Sequence, residues 1–274
     1  MSLPTASRSV TTAAAPGGIV LLAAGSGQRM LPLTAQVPKA LLQVGDRSVL
    51  DWMIDAVLAR SDAEIVVVTG FARDAVEAHL ARRYGRGVRC AHNARFANDV
   101  NILSVETGVA ALSDTSRGYL VCETDLLLDD TAWDALFAGV SATRSQWICR
   151  GRYGATLTGG TVHAGADERI DAIAYKPVYD SACDGWDKML GMLWVAPDAV
   201  AADRRLRQAA INVSLAQYYL VPWQQHLAEL PCAPLRVDAG FAATFNTPAE
   251  FARATGDFLA ARHPAGAPAP AHAF

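Results

Sequence analysis

Ile19, Val20, Leu21, Leu22 and Ala23 are consecutive apolar positions that end at a glycine-rich turn. A run this short, apolar to both sides, predicts a buried parallel strand feeding a loop. At residues 48–60 the period changes. Val49, Trp52, Met53, Ala56 and Val57 fall on one helical face, with Ser48 placed as the N-cap. Residues 64–69 give a second buried strand, 74–83 a second helix and 88–91 a third strand. Ile102, Val105, Val109 and Leu112 mark a helix over 101–112. A fourth strand, 118–122, then runs into Glu123, Thr124 and Asp125.

This alternation of strand and helix predicts an α/β fold with a parallel sheet covered on both faces. Ligands of such sheets sit beyond the carboxyl ends of the strands, so the turn after Ala23 and Asp125 meet across one crevice. After residue 145 the pattern becomes strand-rich: 147–149, 156–162, 169–175 and 189–195 read as strands separated by turns. Residues 198–209 and 215–227 read as helices, 235–237 as a late strand and 248–262 as a closing helix. Asp129 and Asp130 precede Trp133 as helix-capping residues. No internal repeat is visible.

Composition narrows this picture. With 51% of 274 residues hydrophobic, the chain can build one large core, or a core with a small lobe. A net charge of −3 leaves no broad basic field for a nucleic-acid backbone, so an anionic ligand has to be met by a few placed cations. The five cysteines (Cys90, Cys122, Cys149, Cys183 and Cys232) form no CxxC pair, which argues against a zinc site or disulfide framework and for buried free thiols. Residues 1–17 lack the basic start and apolar run of a signal peptide, and no apolar stretch reaches the roughly 18 residues of a membrane span. The expectation is a cytoplasmic protein with no membrane or nucleic-acid partner; self-association stays open. Residues 1–17 and 264–274 are expected as loose tails around a single domain, 18–263.

The sharpest chemical signal is Leu22, Ala23, Ala24, Gly25, Ser26, Gly27, Gln28, Arg29 and Met30. Glycines let a backbone approach phosphates and point amides at them, and Arg29 adds a forked cation. A P-loop would need GxxxxGK[ST], which is absent; a dinucleotide fingerprint would need a third glycine where Met30 stands. A dinucleotide-dependent oxidoreductase would also need an acidic residue ending the second strand, where Thr69 and Gly70 lie. No Ser/His/Asp order supports hydrolase chemistry.

Pro32, Leu33, Thr34, Val37, Pro38, Lys39, Ala40, Leu41 and Leu42 follow directly. The run LLAAGSGQRMLPLT…VPKALLQVG resembles the N-terminal signature of the nucleoside-triphosphate-transferase family, which includes sugar-1-phosphate nucleotidyltransferases and phosphocholine and phosphonate cytidylyltransferases. The resemblance implies a Rossmann-like, mostly parallel mixed sheet of the nucleotide-diphospho-sugar transferase type. Residues 18–145 would bind the nucleotide, and 146–263, with a small β lobe, the acceptor. It implies that residues 22–27, Arg29 and Lys39 hold the nucleoside triphosphate, with Arg29 and Lys39 catalytic. Lys39 would neutralise charge building on the α-phosphate.

Asp125 resembles the family's metal-binding aspartate, which implies Mg²⁺ as cofactor; Glu123, two residues earlier on the same face, joins the nucleotide site. Phe245, Asn246, Thr247, Pro248 and Glu250 resemble the family's late aspartate-threonine-proline-glutamate segment, so Asn246 is the second candidate ligand, through a neutral oxygen. A cap role for Thr247, with Pro248 at the first helical position, fits the same residues. Asp238 is a weaker substitute.

Residues 96–105 resemble an asparagine-isoleucine-x-serine-leucine segment of the cytidylyltransferase branch, which nominates Asn101 and Ser104 as nucleotide contacts and favours CTP. Asn101 as a helix cap is the alternative. Ala174, Tyr175, Lys176 and Pro177 resemble the glutamate-lysine-proline segment whose lysine meets the acceptor phosphate. Lys176 is therefore the first candidate for that anion, and Lys188 the second. Tyr175, Tyr179, Trp186 and Trp194 cluster nearby, as a cation–π cage or as ordinary core and rim aromatics. Asp184 and Asp187 are candidates for a simple ammonium. The expected partners are a nucleoside triphosphate and a small phosphorylated or phosphonylated substrate. A sugar-1-phosphate uridylyl- or guanylyltransferase is the alternative, and a non-catalytic nucleotide-binding homologue the more distant one.

Overall fold

The computed structural model describes residues 15–262. In chain order its elements are β1 (Gly18–Ala23), β2 (Gln43–Val44), β3 (Arg47–Ser48), α1 (Val49–Leu58), β4 (Glu64–Thr69), α2 (Arg73–Tyr84) and β5 (Arg89–His92). Then come α3 (Ile102–Ala111), β6 (Tyr119–Glu123), β7 (Leu126–Leu128), α4 (Asp130–Gly139), β8 (Ser145–Arg152), β9 (Gly159–Ala164) and β10 (Ile170–Lys176). The chain closes with β11 (Asp187–Val195), α5 (Val200–Val213), α6 (Val221–Gln225), β12 (Cys232–Arg236), β13 (Ala242–Thr244) and α7 (Pro248–Arg262).

One mixed sheet runs β10-β9-β11-β6-β1-β4-β5, with β8 on β11 and β12 on β8. The β6-β1-β4-β5 half is parallel, and β11 enters antiparallel beside β6. Alternation along β1 explains why the whole strand is apolar. Ile19 and Leu21 belong to a core shared with α1, α4 and α7, whereas Val20 and Leu22 belong to one shared with α3, α5 and α6. The sheet therefore carries helices on both faces, as expected.

Local capping sets the helix starts. Ser48 and Asp51 form a reciprocal capping box on α1, and Asp129 accepts from Ala132 N at the start of α4. At α7, Thr247 Oγ1 accepts from Glu250 N at 3.3 Å while Glu250 Oε2 accepts from the amides of Asn246 and Thr247.

Two expectations are corrected. Residues 215–227 do not form one helix. Pro222 lacks an N–H and sits in the first turn of α6, so residues 214–220 stay irregular. The strand-rich second half adds its strands to the same sheet through β11, as its pattern implied. Cys90 is an exposed free thiol; the other four cysteines are buried and free. The β7–β13 and β2–β3 pairs had no sequence expectation. Most of the residues expected as tails lie outside the described range; Gly17 is hydrogen-bonded to Gly118 and Glu64. Among the described residues no helix is long and apolar enough to cross a membrane.

Candidate functional site

The chain leaves β1 through Ala24, Gly25, Ser26 and Gly27. Gly27 has a φ of 64°, a left-handed conformation that glycine adopts without strain, and the Thr34 hydroxyl donates to its carbonyl at 2.7 Å. A 3-10 turn over Gln28–Met30 buries Met30 and leaves Arg29 exposed. A second, Lys39–Leu41, follows Pro38 and presents Lys39 beside the end of β6.

β6 delivers the acidic residues. Thr124 donates its hydroxyl to the Leu22 carbonyl at 2.8 Å, joining the two strand ends. Asp125 follows, and its carbonyl accepts from Phe245 N at 2.8 Å. Pairing of Leu126 with Thr244 continues this contact, so β13 carries Asn246 to the side of Asp125 across more than a hundred residues of chain. Lys39 Nζ donates to Asp125 Oδ2 at 3.0 Å and lies 5.1 Å from the centre of the Phe245 ring. Arg29 Nη2 donates to Asn246 Oδ1 at 2.7 Å.

These residues stand at the junction of two lobes of one cleft. The larger, about 370 Å³, is walled by residues 22–30 and by Lys39, Asn101 and Ser104. The smaller, about 110 Å³, is walled by Tyr175, Lys188, Gly191, Tyr219 and residues 158–160 at the start of β9. Arg29, Glu123, Asp125, Tyr218 and Asn246 line both. The residues first nominated for the nucleotide and the metal thus all line this cleft.

The electrostatics of the junction are uneven. Burial and the Asp125 charge hold the Glu123 carboxyl well above the ordinary carboxylate range, against the pull of Lys39, Lys188 and Arg29. Burial lowers the Lys188 ammonium, with Glu123 resisting. Lys188 Nζ donates to the carbonyls of Met189 and Gly160 at 2.9 and 3.2 Å.

The acceptor-side expectations divide. Tyr175 and Lys188 line the smaller lobe. Lys176 does not: it pairs with Asp180 Oδ2 at 2.6 Å and is absent from both walls. Trp186 packs against His163, with ring centres 5.5 Å apart. Trp194 is buried in the core, and Tyr179 stacks on Tyr153, so the four aromatics form no cage. Asp187 is buried and held by Arg152 and Arg236; Asp184 accepts from Tyr179; Asp238 lines neither lobe.

Ser104 is buried, and its hydroxyl donates to Asp99 Oδ2 at 2.7 Å. Asp99 also accepts from Leu103 N and Ser104 N, which makes it the true cap of α3 and leaves Asn101 without a capping bond. Sequence reasoning missed Trp147, Tyr218 and Tyr219. Tyr218 stacks on Tyr175 with centroids 4.0 Å apart, and Tyr219 stacks on Trp147 at 5.4 Å. The adjacent pair of tyrosines just before Pro222 was the available signal.

The fold has close solved counterparts. CTP:phosphocholine cytidylyltransferase from Streptococcus pneumoniae superposes with a TM-score of 0.73 over 88% of this chain and 99% of that one, at 17% identity. The inositol-1-phosphate CTP transferase from T. maritima gives 0.70 over 91% and 98%, at 15%. In sequence, the chain is 38% identical over 94 residues to N-acetylmuramate alpha-1-phosphate uridylyltransferase of Caulobacter vibrioides, 34% of this chain and 38% of that protein. It is 31% identical over 111 residues to 2-aminoethylphosphonate cytidylyltransferase of Lancefieldella rimae, 40% of this chain and 44% of that protein. The matched segments thus span less than half the length of these relatives. Residues 19–213, most of the chain, match the MobA-like NTP transferase domain, and the protein belongs to that family of nucleotidyltransferases.

Proposed function

We propose that the chain is a Mg²⁺-dependent nucleotidyltransferase that joins the NMP unit of an NTP, CTP in preference, to a small phosphate or phosphonate acceptor of the phosphocholine or aminoalkylphosphonate kind. The observation that carries this reading is the shared wall. Arg29, Glu123, Asp125 and Asn246 line both lobes, so groups bound on either side meet there.

An acceptor oxygen attacks the α-phosphorus in line, the bond to the β-phosphate bridging oxygen breaks, and pyrophosphate leaves. Phosphates and phosphonates are already ionised at neutral pH, so no strong general base is needed. Lys39, Arg29 and the backbone amides of residues 24–27 stabilise the charge that develops on the phosphates. Lys188 faces the acceptor anion from the smaller lobe.

The residues present fit Mg²⁺. Asp125 and Asn246 bring a carboxylate and an amide oxygen side by side, each hydrogen-bonded to a cationic side chain. Among the described residues no cluster of three or more His, Cys, Asp or Glu could cage a metal. Mg²⁺ needs none, since it takes one or two protein oxygens and completes its shell with phosphate and water. When bound it would screen the phosphate oxygens. The small volume of the acceptor lobe supports a compact acceptor. Similarity to the 2-aminoethylphosphonate enzyme supports CTP, and similarity to the N-acetylmuramate 1-phosphate enzyme supports UTP with a sugar phosphate as the second reading.

Pyrophosphate release tests both. The protein is incubated with Mg²⁺, each ribonucleoside triphosphate and a panel of phosphocholine, 2-aminoethylphosphonate and sugar 1-phosphates. Release with CTP and a compact acceptor is expected. Release with UTP and a sugar phosphate alone overturns the cytidylyl reading, and no release with any pair overturns the transferase reading.

A further inference from the structure

Asn101 stands at the N-cap position of α3 but does no capping, because Asp99 takes the helix amides. Its side chain is spent elsewhere. Oδ1 accepts from Tyr219 N at 2.9 Å, and Nδ2 donates to Glu123 Oε1 at 3.3 Å. One residue earlier, Val100 N donates to the Leu215 carbonyl at 3.2 Å. The irregular segment between α5 and α6 is therefore fastened to the start of α3, and that segment supplies Tyr218 and Tyr219 to the smaller lobe.

The residue type follows from the two partners. A backbone N–H needs an acceptor and a carboxyl oxygen needs a donor; an amide offers both, whereas aspartate brings no N–H to meet Glu123 Oε1. Glu123 is confined from the other side as well. Gly191 has a φ of 73° at the irregularity of β11, and a Cβ there would lie 3.1 Å from Glu123 Oε2.

We infer that Asn101 is a positioning residue of the acceptor lobe: its amide fixes the Tyr218–Tyr219 segment against the Glu123 side chain and so sets affinity for the acceptor rather than for the nucleotide. This rests on the transferase reading proposed above and reassigns Asn101, which the sequence alone places among the nucleotide contacts.

The test is steady-state kinetics on the full chain with CTP and either phosphocholine or 2-aminoethylphosphonate, whichever the wild type uses. Asn101→Ala is expected to raise KM for the acceptor about tenfold, the scale of losing two hydrogen bonds, while KM for CTP changes by less than about threefold. Asn101→Asp keeps an acceptor for Tyr219 N but loses the donor to Glu123, and it should show the same split. Glu123→Gln combined with Asn101→Asp restores that bond with donor and acceptor exchanged. The double variant should then bind acceptor more tightly than Asn101→Asp alone. Calorimetric titration with CTP confirms that each variant is folded and keeps its nucleotide lobe. A rise in KM for CTP with the acceptor KM unchanged would make Asn101 a nucleotide contact, and an equal rise in both would make its role merely structural; either overturns the inference. An inactive wild type would overturn the transferase reading itself, a separate outcome.

Discussion

Lys39 Nζ and Asp125 Oδ2 stand 3.0 Å apart, joined across 86 residues of chain and each only about 15% exposed. The pair links the glycine-loop segment to the neighbouring strand: the lysine follows the loop, and the aspartate lies two residues past the end of β6. Without a ligand each group neutralises the other. An incoming triphosphate offers Lys39 a second anion, so the lysine can shift to the phosphates without leaving the junction. Replacing Lys39 by Ala should therefore cost about 10²–10³ in kcat, as expected for one preorganised cation at developing charge. The surrounding strands do not depend on it, so the melting temperature should hold. Turnover by pyrophosphate release and a thermal melt check the two halves of this expectation; a loss below about tenfold would place the catalytic cation elsewhere.

The two loop glycines should respond differently to a methyl group. At Gly25 an added Cβ meets nothing within 4 Å, and no positive φ is required. At Gly27 the same atom lies 3.0 Å from Thr34 Cγ2, on a backbone with a φ of 64°. Gly25→Ala should leave stability within about 0.5 kcal/mol of wild type and weaken CTP binding about tenfold, because the open space is where phosphates approach. Gly27→Ala should cost about 1–2 kcal/mol in folding. Chemical denaturation and CTP titration separate these outcomes, and unchanged CTP affinity in Gly25→Ala would remove the loop from the nucleotide site.

The parts of this molecule that were legible in the sequence are those whose cause is local. The strand at 64–69 is built on the apolar run Ile65 to Val68 between a turn and a glycine, and the helix at 248–262 is announced by Thr247, Pro248 and Glu250; both have the expected bounds. The wall of the larger lobe was legible because its glycines, Arg29 and Lys39 lie within twenty residues of one another. The wall of the smaller lobe was not. Residues 215–227 have helical apolar spacing, but Tyr219 finds its partner 118 positions away at Asn101, and such a bond leaves no mark on neighbouring residues. Lys176 looked suitable beside Tyr175, yet Asp180 four residues on claims its charge.

Asp51 ties stability to pH. Burial alone would raise its carboxyl, but hydrogen bonds from His79 and Ser48 outweigh this and hold it below its ordinary value of 3.8. A group whose pKa falls on folding contributes stability above its unfolded value and loses it as pH drops through the folded one. The stability gap between wild type and Asp51→Asn should thus be full at pH 7 and shrink as pH falls below 3.8. Urea denaturation at pH 7, 4 and 3 measures it; a gap independent of pH would mean that the carboxylate charge contributes nothing. Ser48→Ala removes the other half of the capping box and should cost about 1 kcal/mol at pH 7.

Lys188 and Lys176 make the sharpest test of how the acceptor lobe reads charge. Lys188 is half-buried in its wall, where two backbone carbonyls aim the ammonium and Glu123 partly offsets the lowering that burial imposes. Lys176 is outside the wall, in a surface pair with Asp180 of the kind worth about 0–1 kcal/mol. Lys188→Met keeps the apolar stem and removes only the charge. It should lower kcat/KM for the acceptor about a hundredfold and leave CTP binding within about threefold, since a desolvated cation facing an anion is worth a few kcal/mol. Lys176→Ala should stay within about twofold of wild type in both. Parallel kinetics on the two variants decide the assignment. Were the effects reversed, the end of β10 carrying Lys176 would have to fold over the lobe during turnover, breaking its bond to Asp180 as the acceptor binds.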